Sequence, residues 1–281
     1  MKYIEVSFPK NEILPYILGD LGYESFIEEG DRLLAYIQED NFCEEALHDI
    51  AIDEARNYVW KPAEYKDWNE EWESHGFEPI IINKNLIIHD LIHPIDISEY
   101  KYNIVIDAHQ AFGTGTHETT RMMIKQLLNS IHEINKPNVR ILDCGCGTGI
   151  LSIVAAKLGA AEIFGYDIDE WSIENSIHNA RLNNITNCHF VQGNANVLGK
   201  QITGKFDIIL ANINRNILIA DIAMFHKMMH ENSTLFVSGF YCSNESVIKN
   251  EFSKYNLIET NQKLNDNNWQ CLAFREKPLV K

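Results

Sequence analysis

The sequence predicts an α/β fold: a mainly parallel, seven-stranded sheet covered by helices on both faces, preceded by a smaller α+β module. Three observations carry this. From Val139 onward, apolar runs of strand length alternate with runs of helical spacing, the order that builds a parallel sheet with buried faces. The clearest unit, Val139–Glu170, is a strand, a glycine loop, a helix and a second strand ending in an acid. The first sixty or so residues follow a different order, strand–helix–strand–strand–helix, which suggests a separate small α+β module.

In the front segment, Tyr3–Phe8 alternates like a half-buried strand. Asn11–Leu21 has helical spacing, with Asn11 a natural cap and Gly22 a stop. Glu24–Glu29 and Arg32–Gln38 form a hairpin about Glu29-Gly30-Asp31. Asn41–Ile52 returns to helical spacing. A small ferredoxin-like module over residues 1–58 is expected, acting in recognition because it holds no nucleophile–base pair, metal cluster or phosphate loop. Residues 59–76 are charged and contain Pro62, so they are read as a linker, with Trp68 and Trp72 on one face of a helical turn. The second domain is expected over 77–281.

That domain opens with Ile- and Leu-rich strands and a hairpin about Asn83-Lys84-Asn85. A Gly-Thr-Gly-Thr loop then feeds a helix beginning near Glu118, with Thr116 or His117 as its cap. After the central unit come a helix (Trp171–Asn183), a third strand (Cys188–Gly193), a strand ending at Ala211-Asn212, and a helix (Asn216–Met229). Thr234–Ser238, Asn244–Phe252, Leu257–Lys263 and Trp269–Arg275 supply a strand, a helix and two last strands. Ligands of such sheets sit beyond the carboxyl ends of the strands. Asp143, Asp167 and Asn212 all fall there.

The central loop places Gly145, Gly147 and Gly149 at every second position, after Asp143. Glycines let backbone N–H groups approach a ligand closely, and a helix start adds oriented donors. An acid at the end of the next strand, Asp167, can accept both hydroxyls of a ribose. A pyrophosphate-binding loop spaces its glycines Gly-x-Gly-x-x-Gly, so a dinucleotide is disfavoured. A carboxylate before the loop, Asp143, suits a ligand with an amino-acid end and a sulfonium charge.

The formal net charge is −16, concentrated at the front: residues 1–75 carry 19 acidic and 6 basic side chains, residues 76–281 carry 21 and 18. This disfavours direct nucleic-acid binding by the front module and favours a basic protein partner. No apolar run is long enough to span a bilayer, and MKYIEVSFPKNE lacks a signal-peptide core. The six cysteines show no Cys-x-x-Cys pair. A cytoplasmic protein without structural disulfides is expected. His117, His178 and His189 show no metal-ligand spacing, and no metal is expected.

The glycine loop resembles the first motif of Rossmann-like, S-adenosylmethionine-dependent methyltransferases. Together with Ala111–Thr120 (AFGTGTHETT), Gly165–Asp169 (GYDID) and Ala211–Ile213 (ANI), it resembles the ribosomal protein L11 methyltransferase family. The resemblance implies S-adenosyl-L-methionine as cofactor and a basic large-subunit ribosomal protein as substrate, methylated on lysine or N-terminal amines by a monomeric enzyme. It implies cofactor contacts at Thr120, Gly145, Asp167 and Asn212, with Asn212 also beside the incoming amine. Asp143 and Gly147 join them, and Phe112, Gly113, Thr116 and His117 form a covering loop. Two departures, Asn214-Arg215 in place of Leu-Ala and Glu118 in place of Pro, fall on the substrate entrance. From the residues alone, methylation of another protein or a small molecule, and a non-catalytic donor-binding assembly protein, remain open.

Overall fold

The computed structural model describes residues 3–11, 14–48, 50, 56–63, 76–107, 115–260 and 262–277. The chain divides into two compact units, Met1–Trp68 and Asn69–Lys281.

The first unit holds β1 (Tyr3–Pro9), α1 (Leu14–Asp20), β2 (Ser25–Glu29), β3 (Arg32–Gln38), α2 (Glu44–His48) and β4 (Val59–Pro62). Its sheet is antiparallel, in the order β2-β3-β1-β4, the ferredoxin-like arrangement. Strict alternation in β1 and β3 sends Ile4, Val6, Phe8, Leu33, Ala35 and Ile37 to one face, where they pack with Leu14, Leu18 and Leu47. One expectation is corrected. Val59–Pro62 is not linker but the fourth strand, pairing with β1 from Ser7↔Val59 to Ile4↔Pro62. Proline signals a break, yet it is tolerated on an edge strand, where no further ladder N–H is needed. The proposed Trp68–Trp72 turn lies outside the described residues.

The second unit opens with β5 (Ile80–Ile82), β6 (Leu86–His89) and β7 (Tyr102–Val105). β5 and β6 form the hairpin expected about Asn83-Lys84-Asn85, with Asn83 and Lys84 both at positive φ. Then follow α3 (Glu118–Asn129), the short α4 (Ile131–Ile134), β8 (Arg140–Cys144), α5 (Ile150–Lys157), β9 (Glu162–Asp167), α6 (Glu170–Leu182), β10 (Cys188–Gln192), β11 (Phe206–Asn212), α7 (Arg215–Met228), β12 (Met229–Tyr241), α8 (Glu245–Ser253), β13 (Leu257–Glu259), β14 (Leu264–Asp266) and β15 (Trp269–Glu276).

Seven strands run in the order β10-β9-β8-β11-β12-β15-β13. The first five are parallel; β15 is antiparallel to β12 and to β13. An eighth strand, β14, pairs with β15 through a two-residue turn, Asn267-Asn268, with φ of 45° and 65°. The strand expected over Leu257–Lys263 stops at Glu259, and Leu264–Asp266 forms a separate hairpin with β15.

The central strands carry continuous apolar runs, Ile141-Leu142 in β8 and Ile208–Ala211 in β11, because both faces are buried. Ile141, Ile208, Leu210, Phe236 and Ala273 meet α3 and α5 on one face. Leu142, Ile209, Ala211, Val237 and Phe274 meet α7 and α8 on the other. Strand order reverses between β8 and β11, so the ends of β8, β9 and β11 open on a common crevice.

Candidate active site

β8 delivers Asp143 to the sheet's end, and the chain then turns through Gly145, Gly147 and Gly149 before entering α5. All three glycines sit at positive φ (71°, 53° and 77°), the region that side-chain-bearing residues avoid. This accounts for their alternate spacing. Close approach adds to it: a Cβ on Gly145 would lie 2.5 Å from Ile213 Cγ2. The loop is tied to β9, since Gly145 N and Cys146 N both donate to the Tyr166 carbonyl, at 2.8 and 3.0 Å.

The next residue is Asp167. Its Oδ2 accepts from Gly147 N at 2.9 Å and its Oδ1 from Asp169 N at 3.1 Å. Each carboxylate oxygen has a second lone pair to offer. Asp169, which sequence reasoning gave no separate role, caps α6 by accepting from Ser172 N and Trp171 N.

Asp143 lies beneath the loop, 1% exposed. Its Oδ2 accepts from the Ser152 hydroxyl at 2.7 Å and from Ser152 N at 3.1 Å. These bonds tie the carboxylate to the first turn of α5. Burial pushes its carboxyl up to about 6, despite the two hydrogen bonds that favour the charged form.

At the end of β11, Asn212 Nδ2 donates to Thr120 Oγ1 at 3.3 Å. Two residues far apart in sequence, both singled out for the site, therefore touch. The other amide atom, Asn212 Oδ1, is buried and has no hydrogen-bond partner among the described residues, a costly arrangement unless a ligand completes it. Behind this residue the Ile213 carbonyl is pressed against Gly239, where a Cβ would come within 2.4 Å. Gly239 has φ of 93° and sits where β12 shifts register.

Thr120 stands in the first turn of α3. His117 caps that helix: Thr119 N donates to its Nδ1 at 3.2 Å, and its ring meets Trp269 edge-on at 4.8 Å. The Thr116 carbonyl accepts from the Arg121 guanidinium. Phe112 and Gly113 lie outside the described residues.

The two departures have local explanations. Glu118 accepts from Asn267 Nδ2 at 3.0 Å, which holds its carboxyl below the usual range and joins α3 to the β14–β15 turn. Asn214 caps α7 by accepting from Ile217 N at 3.1 Å. His178 pairs with Asp107, and the His189 ring packs on Phe164. Among the described residues no cluster of His, Cys, Asp or Glu could hold a metal ion.

A family model described as ribosomal protein L11 methyltransferase (PrmA) matches residues 15–277. The chain belongs to this family. Proteins named ribosomal protein L11 methyltransferase are similar to it along nearly its whole length. The Bacteroides fragilis protein is 41% identical, covering 98% of this chain and 99% of its own. The Bacteroides thetaiotaomicron protein is 40% identical with the same coverage. A crystal structure titled ribosomal protein L11 methylase, from Lactobacillus delbrueckii subsp. bulgaricus, superposes with a TM-score of 0.62 at 26% identity, over 72% of this chain and all of that one. This PrmA-family chain is an S-adenosylmethionine-dependent protein methyltransferase.

Proposed function

We propose that the chain methylates amines of the large-subunit ribosomal protein L11, the substrate its relatives' names print. Residues at the carboxyl ends of β8, β9 and β11 would hold the methyl donor. The observation that carries this is the buried, unpartnered Oδ1 of Asn212 beside Thr120. It is an acceptor built into the head of the sheet with nothing among the described residues to satisfy it. Asp167 takes the ribose hydroxyls, Gly145 and Gly147 let the donor lie against the loop backbone, and Asp143 supports that loop from below. Thr116 and His117, at the start of α3, would belong to the segment covering the donor.

S-adenosylmethionine supplies a methyl carbon already activated by a positively charged sulfur. The protein's task is alignment, a contribution that reaches effective molarities of roughly 10⁵–10⁸ M in well-oriented reactions. Asn212 Oδ1 accepts an N–H of the incoming amine and turns its lone pair toward the methyl. An amide cannot take up a proton near neutral pH, so the amine must arrive neutral. That is a small fraction for lysine (pKa ~10.4) and a larger one for an α-amine (~8); loss of water at the site raises both fractions. The acidic front unit holds the basic substrate, the protein acts as a monomer, and its six free cysteines suit a reducing cytoplasm.

The deciding experiment is incubation with labelled S-adenosylmethionine and separated large-subunit proteins. One labelled small basic band is expected. Label spread over many proteins, or none, would overturn the substrate. Separately, Asp167→Ala is expected to abolish S-adenosylhomocysteine binding in calorimetry, and unchanged affinity would overturn the donor's placement.

A further inference from the structure

The inner face of α6 carries Asn175, Ser176 and Asn179, with Asn183 just past the helix's end; all four are buried. Their side chains reach out to two other parts of the fold. The first is Asp107, the residue after β7 and its Ile106. Asn179 Oδ1 accepts from Asp107 N at 2.9 Å, Asn175 Nδ2 donates to the Asp107 carbonyl at 2.8 Å, and His178 Nε2 lies 2.9 Å from its carboxylate. One turn on, Asn183 accepts from Val105 N and donates to the Val105 carbonyl, at 2.9 and 2.7 Å. The second is the glycine loop. Ser176 Oγ donates to the Gly147 carbonyl at 2.7 Å, and Asn179 Nδ2 donates to the Thr148 carbonyl at 3.0 Å. Asn179 Nδ2 also donates to Asn175 Oδ1 at 3.0 Å, so the two amides fix each other's orientation.

A purely structural role would satisfy the free edge of β7 and stop there. Asn179 does more: one amide group accepts from Asp107 and donates to Thr148. The same helix begins at the Asp169 cap, two residues beyond Asp167. Loop backbone, ribose-side acid and the exit of β7 are therefore referenced to one rigid element. Buried amides of this kind are effective because every alternative arrangement leaves a polar group unpaired in a low-dielectric interior.

We propose that Asn179, with Ser176 and Asn175, is a positioning residue for the methyl donor, setting the glycine loop against the exit of β7. This rests on the reading that the glycine loop seats the donor. In Asn179→Leu, which keeps apolar volume and loses the hydrogen bonds, the Kd for S-adenosylhomocysteine and the KM for S-adenosylmethionine are expected to rise about tenfold or more. The KM for the protein substrate stays within about twofold. Ser176→Ala is expected to show the same split at smaller amplitude. Measurements are made well below each variant's melting temperature, because a merely structural residue lowers that temperature and leaves the affinity of the folded protein unchanged. Donor affinity at the parent value in folded Asn179→Leu overturns the proposal. If that variant does not fold, Ser176→Ala and Asn175→Ala decide it by the same criterion. Asp167→Ala serves as control: weakened donor binding there, with parent affinity in the Asn and Ser variants, refutes the positioning role alone, whereas parent affinity in Asp167→Ala refutes the site reading on which it rests.

Discussion

At Asn212 the amide nitrogen has Thr120 as partner, and the amide oxygen has none among the described residues. On the proposed reading, replacement by Ala removes the acceptor for the amine while leaving Asp167 and the loop in place. A fall in kcat of about 10²-fold is expected, the scale on which misplacement of a reacting group costs rate, with donor affinity changed far less; stopped-time assays and calorimetry separate the two. Asp143 offers a second test at this scale. Its carboxyl titrates near 6 in the folded protein and near ~3.9 unfolded. The folded state therefore binds the proton more tightly. The resulting stabilisation is complete below about pH 4, declines as pH rises through about 6, and is absent above that. Asp143→Asn keeps an acceptor for Ser152 but does not titrate. Denaturation of the two proteins between pH 4 and 7 should show the parent losing on the order of 2 kcal/mol relative to the variant. A constant difference would mean that Asp143 is not protonated on folding.

The element that most constrains the site is the β8–α5 turn. Gly145→Ala would hold a side-chain-bearing residue at φ of 71° and drive its Cβ into Ile213. A loss of about 1–3 kcal/mol in stability is expected from the backbone alone, readable in urea unfolding, together with weaker donor binding. The turn was legible in the sequence because three glycines at alternate positions have few other uses. Less visible were features whose signal is small or ambiguous. Pro62 looked like a break, and only the ladder with β1 shows it closing an edge strand. Asn267-Asn268 is a tight-turn signal, but Leu264–Asp266 is too short to stand out beside it. Asn175, Asn179 and Asn183 recur every four residues, which places them on one helix face; an amide-rich face looks solvated until its partners are known. The contact of Thr120 with Asn212 joins residues ninety-two positions apart, and no periodicity encodes that.

Over the whole molecule, acid is concentrated in the first seventy-five residues, with a net of −13 against −3 for the remainder. If that segment captures a basic protein by long-range attraction, the KM for the protein substrate should rise steeply with salt, because the screening length shrinks to about 8 Å at 0.15 M. The KM for S-adenosylmethionine, for which the proposed site offers hydrogen bonds at the head of the sheet, should move little. Initial-rate assays across an ionic-strength series check this, and parallel changes in both constants would count against separate capture and chemistry.

β4 has a further consequence. Among the described residues it is the last strand of its sheet, four residues long, and every residue is exposed, Val59 at 67%. An open strand edge is a template on which a second polypeptide can polymerise. Here the template is short, carries the positive charge of Lys61, and closes with an imino acid that has no hydrogen to lend. Pro62→Thr would extend the adhesive edge by one donor. At high concentration that variant is expected to form sedimenting oligomers in analytical ultracentrifugation while its turnover stays normal, making Pro62 a guard of solubility.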